Sequence, residues 1–329
     1  MSSLHTSAII GDMLKPIQVF LDDPDVQEIM VNKPNDVWIE RNGVLLPVQV
    51  EGMNEDRLYG LIVALGRLSR KDVNDNSPIV DTRLGRHRVA ACLSPVSVDG
   101  HSLCIRKHGN VNTITDDYAR VVADLEQFKG IEPPSISRAI PSSINEFLIW
   151  LVVSKQNFIV SGGTSSGKTS FLRAMLKHLS ADERVVTIED PPELKLDLPN
   201  AVQFEVNNQL GIDIKKLVRL ALRYRPDRIF VGEIRGLEAY DFLSAANSGH
   251  DGTACSLHAN NPIMALEKLS DFGLMGAGEG GKLDSIKNQV AYTFNYVIQM
   301  RRVKGVRTIE TIHRVIRHNG KDFETQIIL

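Results

Sequence analysis

Residues Gly162-Gly163-Thr164-Ser165-Ser166-Gly167-Lys168-Thr169 match the pattern G-x-x-x-x-G-K-S/T, with Ser170 following. The pattern comes directly after the apolar run Phe158-Ile159-Val160. It opens a segment, Lys168 to Leu179, in which Phe171, Leu172, Met175, Leu176 and Leu179 share one helical face. Few folds can hold a strand, a glycine loop and a helix in that order. The glycines let backbone N–H groups curl around phosphates, and the helix N-terminus adds partial positive charge. Lys168 is expected to reach the β and γ oxygens, and Thr169 to offer its hydroxyl to Mg2+. Gly162 to Ser170 are therefore the candidate phosphate-binding residues.

Three further apolar runs each stop at a polar group suited to phosphate chemistry. Val185 to Ile188 ends at Glu189-Asp190, Ile229 to Val231 at Gly232-Glu233, and Ala254 to Leu257 at His258. Helical patterns lie between them, Leu217 to Tyr224 before Pro226 and Leu237 to Ser248 closed by Gly249. Alternation of this kind predicts an α/β fold with a parallel sheet, whose ligand sits outside the carboxyl ends of the strands. The tail differs. Tyr296 to Met300, Val306 to Ile316 and Phe323 to Leu329, with turn signals at Lys304-Gly305 and Asn319-Gly320, read as an antiparallel meander added to that sheet.

A carboxylate after the second strand can polarise an attacking water, which singles out Glu189 within Thr187-Ile-Glu-Asp-Pro-Pro-Glu-Leu194. Glu233 occupies the position from which a carboxylate helps hold Mg2+, although Asp is the more usual residue there. His258 ends a strand and can donate a hydrogen bond to a γ-phosphate oxygen; His250, eight residues earlier, fits no zinc pattern with it. Arg83, Arg86, Arg88, Arg106 and Lys107 form a basic group in the first third, read either as a solvated face or as arginines that reach a nucleotide bound elsewhere.

The first third reads as α+β. Ile9 to Leu21 recur at helical spacing with Pro16 as an interruption, Asp36 to Leu46 form two strands about Asn42-Gly43, and Asn54 caps a helix carrying Leu58, Leu61, Ile62, Leu65 and Leu68. Arg86 to Leu93 and Ser102 to Lys107 are expected to pair as a hairpin around Asp99-Gly100. Gly109, Gly130, Pro133, Pro134 and Pro141 break any period that follows. The expected division is an N-terminal α+β domain over residues 1–108, a linker over 109–143 and an α/β P-loop domain over 144–329.

Composition removes other classes. The 38 basic and 40 acidic side chains balance to a net charge of −2, without the basic excess of a phosphate-backbone binder, and no specific nucleic-acid site is evident. The longest apolar run, Phe147 to Val153, is far short of the ~18–20 residues that span a bilayer. Met1 to Ser7 do not read as a secretory signal. Cys92, Cys104 and Cys255 form neither a disulfide framework nor a zinc site, which fits a reducing cytosol.

The ordered set Gly162 to Thr169, Thr187-Ile-Glu-Asp190, Leu222-Arg-Tyr-Arg-Pro-Asp-Arg-Ile-Phe-Val-Gly-Glu-Ile-Arg235, Ser248-Gly-His-Asp-Gly252 and His258-Ala259 resembles the secretion ATPases of type II and type IV secretion and related pili. Asp25-Val-Gln-Glu-Ile-Met-Val-Asn32 and Trp38-Ile-Glu-Arg-Asn-Gly43 resemble that family's N-terminal opening, so the likeness spans nearly the whole chain. It implies a RecA-like P-loop ATPase domain with antiparallel C-terminal strands, behind a smaller α+β domain. It also implies ATP and Mg2+ as cofactors and a homohexameric ring docked at the cytoplasmic face of an inner-membrane secretion machine.

Carried onto this sequence, the resemblance makes Lys168 and Thr169 the P-loop pair, Glu189 the general base and Glu233 a holder of Mg2+ together with Thr169. His258 becomes the γ-phosphate sensor. Arg88 and Arg106 match positions from which the N-terminal domain contacts phosphate. Three scattered cysteines cannot form the four-cysteine zinc insertion of type II members, and the Ala-Ile-Arg motif of pilus-retraction members is not found. The type IV secretion or conjugation branch is therefore expected ahead of tight-adherence pilus ATPases, with a RecA-like nucleic-acid motor of the helicase class as the other alternative. A GTP switch would need an Asn-Lys-x-Asp motif, and Asn32-Lys33-Pro34-Asn35 ends in Asn.

Overall fold

A computed structural model describes residues 9–69, 71–85, 87–107, 144–194, 196–303 and 306–329. The expected linker 109–143, Arg86, the turn residues Lys304-Gly305 and the N-terminal residues 1–8 lie outside the described residues. Among those described, the strands form two sheets.

The first sheet is built from β1 (Val26–Lys33), β2 (Asp36–Arg41), β3 (Val44–Val48), β4 (Ile79–Leu84), β5 (His87–Cys92) and β6 (Ser102–Arg106). Its order is β3-β2-β1-β6-β5-β4, antiparallel throughout. Ahead of it the expected N-terminal helical stretch does break at Pro16, in a 3-10 turn over Lys15–Ile17 that leads into α1 (Gln18–Asp22). The expected pairing of β5 with β6 is present, and β1 and β4 join them as strands that the sequence patterning does not reveal. β1 is central and buried on both faces, with Ile29 and Val31 on one side and Met30 on the other, so it carries no polar alternation.

Helix α2 (Glu55–Leu68) starts where the sequence predicts. The Asn54 side chain accepts from Arg57 N at 3.0 Å, which satisfies one of the first-turn donors. Leu58, Leu61, Ile62 and Leu65 then bury against Ile29, Val31, Val89 and Ile105 of the sheet.

The second sheet contains β7 (Phe158–Gly162), β8 (Val185–Glu189), β9 (Ala201–Glu205), β10 (Arg228–Val231), β11 (Ala254–Leu257), β12 (Tyr296–Val303), β13 (Val306–His318) and β14 (Phe323–Ile327). Its order is β14-β13-β12-β7-β11-β10-β8-β9. The strands from β12 to β9 are parallel, and β13 and β14 continue antiparallel. The meander read from the tail thus has a seam: β12 lies parallel to β7 on one side and antiparallel to β13 on the other.

Helices pack around this sheet: α3 (Ile144–Val153), α4 (Lys168–Leu176), α5 (Ile214–Ala221), α6 (Glu238–Ala246), α7 (Pro262–Ala277) and α8 (Leu283–Thr293). The last two carry no sequence expectation, although Asn261-Pro262 is a start signal: Asn261 accepts from Met264 N at 2.8 Å and Pro262 takes the first helical position.

The outer face of the first sheet shares a core with the second. Met30, Trp38, Ala90, Cys92 and Cys104 pack in one apolar cluster with Phe204, Leu217, Val218, Ala221 and Tyr224. Polar bonds close the same joint. The Tyr224 hydroxyl lies 3.2 Å from Ser102 Oγ, and Arg225 reaches Glu40 with Nη2 at 2.5 Å and Nε at 2.9 Å. Arg184, fully buried, donates to Tyr224 O at 2.6 Å and to the Asn32 and Asn200 side-chain oxygens at 2.5 Å each. Tyr224→Ala empties the centre of this joint and is expected to cost about 3–5 kcal/mol in urea unfolding. A loss below about 1 kcal/mol would mean that the two sheets do not share a core.

Candidate nucleotide site

The loop after β7 has the backbone that its glycines predict. A side chain on Gly162 would put its Cβ 2.4 Å from Met300 O, on the neighbouring strand β12, and 2.6 Å from Ser166 Oγ. Gly167 takes φ +94° immediately before α4, where an L side chain is strained. Lys168, at the start of α4 and buried, donates to Gly162 O and Gly163 O at 3.1 Å each. Thr169 and Ser170 follow it in the first turn, whose N–H groups have no acceptor within the helix. The Ser166 hydroxyl is buried with no hydrogen-bond partner among the described residues, so the loop holds an orphaned polar group that an oxygen ligand would satisfy.

The parallel strands bring the other predicted residues to the same edge. The Lys168 ammonium lies 3.2 Å from His258 Nδ1, and His258 Nε2 lies 3.2 Å from Glu233 Oε1. An ammonium only donates, so Nδ1 is the acceptor and Nε2 carries the hydrogen that points at Glu233. Burial lowers the Lys168 pKa, and the nearby Glu233 carboxylate opposes that shift.

Glu189 ends β8 at 2% exposure, with its carboxylate accepting from Glu193 N at 2.9 Å and Leu194 N at 3.0 Å. Burial pushes its pKa up to about 7, against the lowering effect of the two amides. Thr169, Glu189, Asp190, Glu193, Glu233 and Arg235 share the lining of one 150 Å³ cavity.

Among the described residues no group of three or more His, Cys, Asp or Glu side chains is set to hold a metal. The donors in this cavity are hard oxygens, the Thr169 hydroxyl and the Glu233 carboxylate. They suit an ion that takes most of its shell from phosphates and water, as Mg2+ does.

Arg88 and Arg106 are elsewhere. They line a 590 Å³ cavity between the first sheet and α5, with Asp81, Arg219 and Arg223. Cross-strand register sets Arg83 opposite Arg88, Arg88 opposite Arg106, Arg106 opposite Glu28 and Glu28 opposite Glu40, one charged row across five strands. Arg106 Nε bonds Glu28 Oε1 at 2.6 Å. Within one chain, then, Lys168, Thr169, Glu189, Glu233 and His258 converge, and Arg88 and Arg106 line a different cavity. His250 is also apart, with Nδ1 2.9 Å from Ala245 O at the end of α6.

Three basic residues beside the loop were not singled out from sequence. Arg235 sits within the quoted Gly232-Glu-Ile-Arg segment, with Nη2 3.0 Å from Glu233 Oε2. Lys268, on α7, donates to His258 O at 2.8 Å and lines a 640 Å³ cavity with Gly163, Thr164 and His258. Arg307, on β13, lies across Gly167, its Cδ 2.7 Å from where a Cβ would stand. Only the pairing of β12 with both β7 and β13 brings Arg307 there.

The glycine loop, buried lysine and strand-end carboxylates lie at one edge of an α/β fold, the arrangement of a nucleotide-handling protein. The chain belongs to the type II/IV secretion system protein family, whose model matches residues 12–308. It is 29% identical over 337 residues to the type IV secretion system protein VirB11 of Bartonella quintana, with 94% of each chain covered. VirB11 of Brucella suis is 30% identical over 288 residues, covering 82% of this chain and 79% of that one. A Mycobacterium tuberculosis protein named for conjugal transfer is 31% identical over 316 residues, with 92% and 84% covered. The crystal structure of the Brucella suis VirB11 ATPase in complex with sulphate superposes with a TM-score of 0.83 at 28% identity, over 94% of this chain and 96% of that one.

The raised pKa of Glu189 has a stability consequence. Its folded value, about 7, lies above the ordinary 4.5, so its contribution is fully present below about 4.5 and is lost as pH rises through 7. Melting temperatures of wild type and Glu189→Gln are therefore expected to diverge in favour of the variant between about pH 5 and pH 8. A constant difference over that range would show that the buried carboxyl does not titrate there.

Proposed function

We propose that this chain is a Mg2+-dependent ATPase that works as a ring-forming motor of type IV secretion or conjugative transfer, at the cytoplasmic face of the inner membrane. The family match and the VirB11 relatives support ATP hydrolysis in that service. The observation that carries the reading is the convergence of Lys168, Thr169, Glu189, Glu233 and His258 at the carboxyl ends of β7, β8, β10 and β11. A P-loop after a central parallel strand supports a RecA-like domain over the second sheet, with the first sheet as a smaller N-terminal domain. The relatives give no support to a nucleic-acid motor or a tight-adherence ATPase ahead of this reading.

The residues divide the work. Lys168 is tied to two loop carbonyls and to His258, and entry of the β and γ phosphates exchanges those contacts for charged oxygens. Glu189, with a pKa near 7, is poised to take a proton from the attacking water. Thr169 and Glu233 would hold Mg2+, which would supply positive charge against the phosphates. His258, released from Lys168, keeps Nε2–H to donate and so registers the γ-phosphate.

Arg88 and Arg106 line a cavity other than the one at Thr169, Glu189 and Glu233 of the same chain, which supports active sites completed between subunits of a ring, a hexamer by family resemblance, docked on inner-membrane machine components. No described helix is long and apolar enough to cross a membrane.

The test is ATP turnover per protomer across a wide range of protein concentration, with Lys168→Ala as blank. Specific activity is expected to rise and then level off. Glu189→Gln is expected to bind ATP and barely hydrolyse it, and the acid limb of the wild-type rate is expected to fall away below about pH 7. Arg88→Ala and Lys168→Ala, each inactive alone, are expected to regain turnover when mixed, because one supplies the P-loop and the other the arginine. Failure of the mixture, with both variants assembled, would take Arg88 out of the neighbouring site.

A further inference from the structure

Both carboxylate oxygens of Glu233 have partners within the chain. Oε1 receives His258 Nε2 at 3.2 Å, and Oε2 receives Arg235 Nη2 at 3.0 Å. The Arg235 guanidinium also approaches Asp190 Oδ2, with Nη1 at 4.0 Å. It lines the 150 Å³ cavity of Thr169 and Glu189 and also a 280 Å³ cavity on the other side of Glu233, shared with His258 and Lys268. A positive charge thus bridges carboxylates from the ends of β8 and β10, beside the hydroxyl of Thr169.

The two partners of Glu233 are not equally held. His258 is held at its carbonyl by Lys268, at 2.8 Å, and its side chain is 39% exposed. Arg235 has a fixed base and a free arm: its backbone N–H and that of Gly236 both donate to Glu238 Oε1, at 2.5 and 2.9 Å, while its side chain is 60% exposed. A cation arriving at Glu233 therefore meets the lesser resistance at Oε2. An exposed ion pair is worth little enough for a divalent ion carrying two phosphates to replace it.

We infer that Arg235 is a resident counter-cation for Glu233: it holds the metal-facing carboxylate oxygen while the site is empty, gives way to Mg2+ brought by nucleotide, and returns as the ion leaves with product. Arg235 is a positioning residue in this scheme, acting through Glu233, and it tunes how tightly the ion is kept. The inference rests on the reading of Glu233 as a holder of Mg2+.

The experiment is Mn2+ binding to the full chain with saturating ADP, read by electron paramagnetic resonance of the free ion, for wild type, Arg235→Gln, Arg235→Lys and Glu233→Gln. Arg235→Gln is expected to bind Mn2+ about two- to fivefold more tightly, the range of an exposed ion pair. The gain is expected to shrink at high ionic strength, where such a pair is screened. Arg235→Lys is expected to return towards wild type, and Glu233→Gln to bind Mn2+ more weakly. If Glu233→Gln weakens Mn2+ binding while Arg235→Gln leaves it unchanged or weaker, the counter-cation role falls and the metal role of Glu233 stands. If Glu233→Gln leaves Mn2+ affinity unchanged, both fall together. Thermal melts of Arg235→Gln close to wild type would exclude misfolding as the cause of either result.

Discussion

Parallel pairing of β7 with β11, and of β11 with β10 and β10 with β8, is the constraint on which the site depends. Parallel strands end on the same side, so each can leave a different group at one edge without any of them being close in sequence. Lys168 and His258 are 90 residues apart and in contact. β12, parallel on the far side of β7, completes the arrangement by bringing Met300 O against Gly162, which leaves no room for a side chain at the first position of the loop. β7 is therefore interior, and the glycine loop after it is set against backbone on one side and a buried lysine beneath.

The joint between the sheets obeys a different physics. Its apolar part could slide, because dispersion is not directional. Its polar part could not. Arg184 is buried with neutral acceptors only, Tyr224 O and the Asn32 and Asn200 side chains, and burial lowers its pKa. Displacing the first sheet would take the Asn32 oxygen away from a fully buried guanidinium, at the cost of a buried charge left short of an acceptor. The orientation of the arginine row relative to α5 is held by that cost.

Much of this was legible in the residues themselves. The glycine loop, the strand-end carboxylates and His258 announce their strands because each apolar run stops abruptly, and Asn54 announces its helix through its cap. What could not be read depends on partners supplied by distant segments. β1 hides because both of its faces are buried. β9 is a short edge strand, and α7 contains Gly273 and Gly276, which weaken a helical reading although both sit at close approaches, to Ile286 and to Leu237 O. The basic group of the first third is visible as composition, but its alignment into a row is a matter of strand register, which spacing along the chain does not encode. Likewise Arg235 can be seen to follow Glu233 by two residues, and only the turn held by Glu238 aims it back at that carboxylate.

The charged row changes sign partway across the sheet. Arg83, Arg88 and Arg106 occupy β4, β5 and β6, and Glu28 and Glu40 occupy β1 and β2. Glu28 is buried and paired with Arg106, and Glu40 is paired with Arg225, so the carboxylates of the row are neutralised from within the fold. The charge left for an anionic group to meet is that of the exposed Arg83 and Arg88, so the row pulls such a group towards its β4–β5 end before any close contact forms.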